Sequence, residues 1–171
     1  AAQYYRDARI LTIYEGTTAI QANDLVGRKT ARDKGWVARA LIEDVRRTQT
    51  LLNSHDNLQP IAVQLGAAAE ALEQVVEYVL KNVQDHIKIV FAGSVPYLKL
   101  AGIVLGGWQL ARSAARAQPM LANGKGDAAF LQAKIVTARY FAEHQLSQAS
   151  GIASAIVHGG PSIMALDEAQ F

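Results

Sequence analysis

The stretch Pro60–Lys81, PIAVQLGAAAEALEQVVEYVLK, decides the fold class. Leu65, Ala68, Leu72, Val75 and Val79 recur at alternating steps of three and four, with Glu70, Glu73, Glu77 and Lys81 among the polar positions. That period lays one apolar stripe along a helix. Pro60 suits the first turn, where a missing amide costs nothing.

The same period continues on both sides. Upstream, Ala38, Leu41, Val45, Thr48 and Leu52 predict one apolar helix face that ends at the turn-rich Asn53-Ser54-His55-Asp56-Asn57. Downstream, residues from about 85 to 118 predict a helical stretch apolar around much of its circumference, kinked or interrupted by Pro96. Ala122-Asn123-Gly124-Lys125-Gly126 reads as a loop, and Asp127 caps a fourth helix. Its core positions are Leu131, Ile135, Ala138, Ala142, Ala149, Ile152 and Ile156, and Gly159-Gly160-Pro161 ends it. Nearer the start, Thr18-Ala19-Ile20-Gln21 reads as a capping box, so a helix opens at Thr17 or Thr18 and runs toward Lys29. It then either continues or breaks at Gly35. No run alternates apolar and polar residues between turn pairs, so the fold is expected to be all-α. Four long helices joined by short polar turns predict an antiparallel four-helix bundle over 32–171, preceded by an N-terminal helical segment over 1–31.

A chain of 171 residues, half of them apolar, is long enough to bury a real core. The net charge is only +2 and the basic residues are spread along the sequence, so no nucleic-acid partner is expected. Without cysteine there is no disulfide framework and no thiolate chemistry, and a cytoplasmic setting is the expectation. Ile87–Ala111 is long enough to cross a bilayer, yet it carries Lys88, Lys99, Pro96 and four glycines. A lysine near the centre of a span costs roughly 2.5–3.5 kcal/mol, so no membrane span is expected. His55, His86, His144 and His158 lack a second ligand at helix spacing, and no metal site is expected. Tyr97, Trp108 and Phe141 read as core or interface aromatics. Gly102 and Gly106 have a small-xxx-small spacing that suits close helix packing or a dimer seam. The opening Ala1-Ala2-Gln3 lacks an initiator methionine and is expected to lie inside a longer protein.

Candidate chemistry lies in Arg6–Gln21, RDARILTIYEGTTAIQ. Glu15 stands just before a helix start, and Gly16 after it lets a ligand approach the backbone closely. The same placement suits an exposed glutamate favoured by the helix dipole. The residues alone leave both readings open.

Arg6-Asp7-Ala8-Arg9-Ile10 followed by Ile13-Tyr14-Glu15-Gly16-Thr17-Thr18-Ala19-Ile20-Gln21 resembles the signature near the C-terminus of acyl-CoA dehydrogenases, in which an RDA segment precedes YEGT and then IQ. The resemblance covers roughly the first thirty residues. It implies that Glu15 is the base that removes the α-proton of an acyl-CoA thioester while the β-hydrogen leaves as hydride to N5 of FAD. Some members place the base on another helix and carry a small residue here, whereas this sequence keeps the glutamate. The resemblance further implies that Gly16 lies against the substrate thioester and that Thr17, Thr18 and Ala19 touch the flavin. Ala19 departs from the polar residue common at that place.

The remainder, from about Arg32, exceeds the short tail of ordinary members. Its pieces Pro96–Gly102 (PYLKLAG), Gly106–Arg112 (GGWQLAR) and Lys134–Ala142 (KIVTARYFA) resemble the additional C-terminal helical domain of the larger members, above all the 3-methylmercaptopropionyl-CoA dehydrogenase subgroup. Acyl-CoA as substrate, an electron-accepting flavoprotein and a homo-oligomer are the implied partners. FAD is the implied cofactor of the whole enzyme, and this stretch alone is expected neither to hold it nor to be active. The competing expectation is a stand-alone helical interaction or oligomerisation module without catalysis.

Overall fold

A computed structural model describes residues 2–11, 13 and 17–170. Among them there are helices and turns and no strand, so the all-α expectation holds. The elements are α1 (Ala2–Ile10), α2 (Thr18–Val26), a π-helical turn (Gly27–Ala31), α3 (Trp36–Leu52), α4 (Gln59–Asn82), α5 (Ile87–Ala92), α6 (Ser94–Ala122), α7 (Ala128–His144) and α8 (Ala149–Ile163).

Helix α4 is the axis of the packing, in contact with α3, α6, α7 and α8. All five predicted stripe residues are buried, joined by Ile61, Ala62, Gly66, Ala69, Ala71 and Val76. Pro60 sits in its first turn, as its missing amide predicts. Only a strip running through Val63, Ala67, Glu70, Gln74, Glu77 and Lys81 faces water. Pairs of residues fix the directions. Arg39 meets Glu77, Arg46 meets Glu73, and a Cβ on Gly66 would strike Gln49, so α3 and α4 run antiparallel. Thr48 meets Trp108 and Asn57 meets Gln118, which sets α6 parallel to α3. A Cβ on Gly106 would sit 3.7 Å from Phe141, while further along α6 Arg116 and Met120 share a groove with Phe130 and Lys134, so α7 returns antiparallel to α6.

Several local expectations are corrected. On α3 Ile42 joins Val45, Thr48 and Leu52 in the core, and Leu41 is half-buried. The third stretch breaks at Gly93, not at Pro96, which occupies the first turn of α6 where it costs no hydrogen bond. Asp127 caps α7 as predicted, its carboxylate accepting from the amides of Ala129 and Phe130 at 2.9 and 3.2 Å. That helix stops at His144, a 3₁₀ turn over Leu146–Gln148 follows, and α8 then runs through Gly159, Gly160 and Pro161 to Ile163. The break points the Leu146 side chain into the core against Gly107, a seat that a continuous helix would not provide. Gly107 is therefore the glycine of close approach; Gly102 has open space where a Cβ would be.

At the other end the backbone reverses at Lys34 and Gly35, with φ of 56° and 75°. Gly35 is required twice: its φ is left-handed, and a Cβ there would lie 2.8 Å from Leu80. Asp33 closes the turn by accepting from the amides of Gly35 and Val37. The preceding π turn is closed by Arg32 N–H to the Gly27 carbonyl at 3.0 Å. Ala22, Val26 and Thr30, four residues apart, lie on one buried inward face. The buried Thr30 hydroxyl meets the buried Tyr97 hydroxyl at 2.9 Å and ties this segment to α6. Burial pushes the Tyr97 phenol above its ordinary range, partly offset by the bond to Thr30.

Two stability measurements check this packing. Leu72→Ala should lower the unfolding free energy by roughly 2–5 kcal/mol in a urea titration, because it removes core volume from a helix packed on both sides. Tyr97→Phe should cost about 1–3 kcal/mol by leaving Thr30 buried without its partner, and pairing it with Thr30→Val should recover part of that loss.

Candidate functional site

The candidate site is the head of α2 and what precedes it. Glu15 and Gly16, singled out as base and substrate contact, lie outside the described residues. Thr17, Thr18 and Ala19 are brought together at the start of α2. Thr17 is the N-cap, with φ −111° and ψ −2°, and its side chain makes no capping bond. Thr18 is already helical, so the capping box does not form in the register Thr18–Gln21. The first turn is closed instead by Gln21 N–H to the Thr17 carbonyl at 2.8 Å.

Thr17 is half-buried, while Thr18, Ala19, Ile20 and Gln21 are exposed. The amides ahead of Gln21 are those that helix geometry leaves for an acceptor outside the helix, and the helix dipole makes that end positive. Position is supplied from below: Ala22 and Val26 are fully buried, and the Thr30–Tyr97 bond holds the far end of the segment against α6. The exposed head is therefore carried on a fixed base. Sequence reading missed the Thr30–Tyr97 anchor, because the two residues are 67 positions apart and neither has a local motif.

Large apolar side chains of the N-terminal segment and of α2 are exposed. Helix α1 buries no residue at all; Tyr4 is 82% exposed, Leu11 78%, Ile13 68% and, on α2, Ile20 64%. Large apolar side chains exposed together mark a contact surface.

The remaining sequence readings fall out as follows. Tyr97 is core, and Phe141 packs half-buried against it. Trp108 is half-buried, its indole N–H donating to Thr48 at 2.7 Å. Among the described residues no cluster of three His, Asp or Glu side chains is placed to hold a metal ion, and no helix is long and apolar enough to cross a membrane.

The chain is 47% identical over 164 residues to 3-methylmercaptopropionyl-CoA dehydrogenase of Ruegeria pomeroyi, covering 95% of this chain and 28% of that protein. It is 36% identical over 180 residues to the broad-specificity linear acyl-CoA dehydrogenase FadE5 of Mycobacterium tuberculosis, covering 99% of this chain and 29% of that protein. The chain thus spans less than a third of the length of these relatives. Residues 39–167, from early α3 to just past α8, match the family described as acetyl-CoA dehydrogenase C-terminal like, and the chain belongs to that family.

Proposed function

We propose that this chain contributes the catalytic base and the additional helical domain of an FAD-dependent acyl-CoA dehydrogenase. The observation that carries the reading is the string from Arg6 to Gln21 at the head of α2, in a chain 47% identical to a dehydrogenase of a coenzyme A thioester. In this reading the stretch 1–31 closes the catalytic body and 32–171 forms the additional domain, with the reversal at Lys34 and Gly35 just past the boundary.

Glu15 acts as the base. Its carboxylate takes the α-proton of the thioester: the C–H bond breaks, an O–H bond forms, and the released pair becomes part of the α,β-double bond as the β-hydrogen departs. Bound FAD supplies the hydride acceptor for that departure. The α-proton is too weakly acidic for a solvated carboxylate, so the base must be desolvated, which raises its pKa toward the working pH. The positive head of α2 pulls the other way and limits the rise. Gly16 leaves room for the thioester. Thr17, Thr18 and Ala19 fit the polar edge of a flavin through first-turn amides and the Thr17 hydroxyl, which no cap bond occupies. Three residues match one edge of the cofactor only; the rest of its surface needs other parts of the enzyme.

The exposed apolar side chains of α1 and Ile20 suit packing against the catalytic body, with an acyl-CoA as substrate, an electron-accepting flavoprotein as redox partner and a homo-oligomer as the assembled form. The cysteine-free chain suits a cytoplasmic setting. The 171 residues alone should bind no stoichiometric FAD; a purified chain with flavin absorbance near one per protomer would contradict the shared-site reading. In the whole enzyme, Glu15→Gln should keep normal flavin content while substrate-driven flavin reduction, followed by stopped-flow bleaching, falls by several powers of ten. Near-normal reduction would place the base elsewhere.

A further inference from the structure

The basic residues that look scattered in sequence are gathered in space. Residues 86–142 contain seven Lys and Arg and a single acid, Asp127. Four of the seven, Arg112, Arg116, Lys125 and Lys134, line one groove of about 1060 Å³ where α6, α7 and the end of α3 meet, and no carboxylate lines it. A second groove, between α4 and α8, holds about 860 Å³ and is lined by Glu70, Glu73 and Glu77. The two differ in how their charge is met. Glu73 and Glu77 are already paired with Arg46 and Arg39, whereas none of the four cations forms an ion pair among the described residues. Like charges held together without a counter-charge raise the local potential, and an anion in the groove relieves it.

Two of the cations, Arg112 and Lys134, are also held in place. The Arg112 guanidinium lies 5.2 Å from the centre of the Trp108 ring, and Trp108 is itself fixed by its bond to Thr48. One Arg112 N–H goes to Gln109 at 2.8 Å. The Lys134 ammonium lies 5.0 Å from the Phe130 ring. Stacking on a ring face orients a cation and leaves its remaining donors for an oxyanion. The groove wall is not uniformly polar: Phe130 is 59% exposed and Met120 36%. An inorganic phosphate leaves that apolar wall unmatched. A phosphorylated nucleotide satisfies both parts, with phosphates on the arginines and lysines and a planar base against Phe130.

We propose that the groove formed by Arg112, Arg116, Lys125, Lys134 and Phe130 is a binding site for a phosphorylated nucleotide. The same chemistry has two sources: the nucleotide half of coenzyme A, which rests on the acyl-CoA reading above, and a free nucleotide such as ATP, which does not.

Isothermal titration of the chain with 3′,5′-ADP, ATP, adenosine and inorganic triphosphate tests this. At least one of the two nucleotides should bind saturably at one per chain, adenosine should not, and affinity should fall as salt rises. Tighter binding of 3′,5′-ADP than of ATP assigns the groove to coenzyme A, and the reverse order assigns it to a free nucleotide. Arg116→Gln with Lys125→Gln should weaken nucleotide binding by about tenfold or more at unchanged helicity. Lys134→Gln alone serves if the double variant loses helix content. Phe130→Ala should weaken the nucleotides while leaving inorganic triphosphate unaffected. The proposal is overturned if neither nucleotide saturates, if the charge variants bind like the parent chain, or if only an RNA oligonucleotide binds. Flavin reduction in Glu15→Gln and nucleotide binding here are separate readouts, so either inference can fail without the other.

Discussion

The burial of α4 is the constraint on which the rest of the structure depends. A helix packed by four neighbours has to be apolar over most of its circumference and small enough in places for those neighbours to come close. Gly66, Ala68, Ala69 and Ala71 meet the second condition, while Leu65, Leu72, Val75, Val76 and Val79 supply the bulk. The water-facing strip carries Glu70 and Glu77, with half-buried Glu73 at its edge, and the last two hold α3 through Arg39 and Arg46. The bidentate bond from Arg46 pulls the Glu73 carboxyl below its ordinary range, and Glu73 raises the guanidinium in return. Both partners remain over a third exposed, so this pair sets alignment more than stability.

With α4 fixed, α6 becomes the bridge between core and candidate site. Its buried face meets α4, and Tyr97 near its start reaches the Thr30 hydroxyl on the π turn. The head of α2 is thereby positioned by long-range contacts, while its own outer face stays exposed.

Charge is distributed along the same division. Glu73 and Glu77 of α4 are matched by Arg46 and Arg39 of α3. Arg112, Arg116, Lys125 and Lys134 have no such match among the described residues, and stacking on Trp108 and Phe130 orients Arg112 and Lys134. Net charge conceals this: the +2 of the whole chain combines +6 over residues 86–142 with −4 over the rest.

The sequence by itself determined the class of fold and the signature at the head of α2. Helical period is a local property, so the stripes from Ala38 to Leu52 and from Leu65 to Val79 were legible, as was the Asp127 cap, which needs only its next three residues. Breaks were less legible. A proline tolerated in a first turn and a glycine that ends a helix compete for the same boundary, and Gly93 prevailed over Pro96 only because Pro96 falls within the first turn of α6. Likewise Leu146 turns inward against Gly107 because the packed core has a seat for it, which no local period announces. Tertiary structure alone decided the Thr30–Tyr97 anchor and the groove of Arg112, Arg116, Lys125 and Lys134. Both join residues that are distant along the chain, and what brings them together is the antiparallel return of one helix against another.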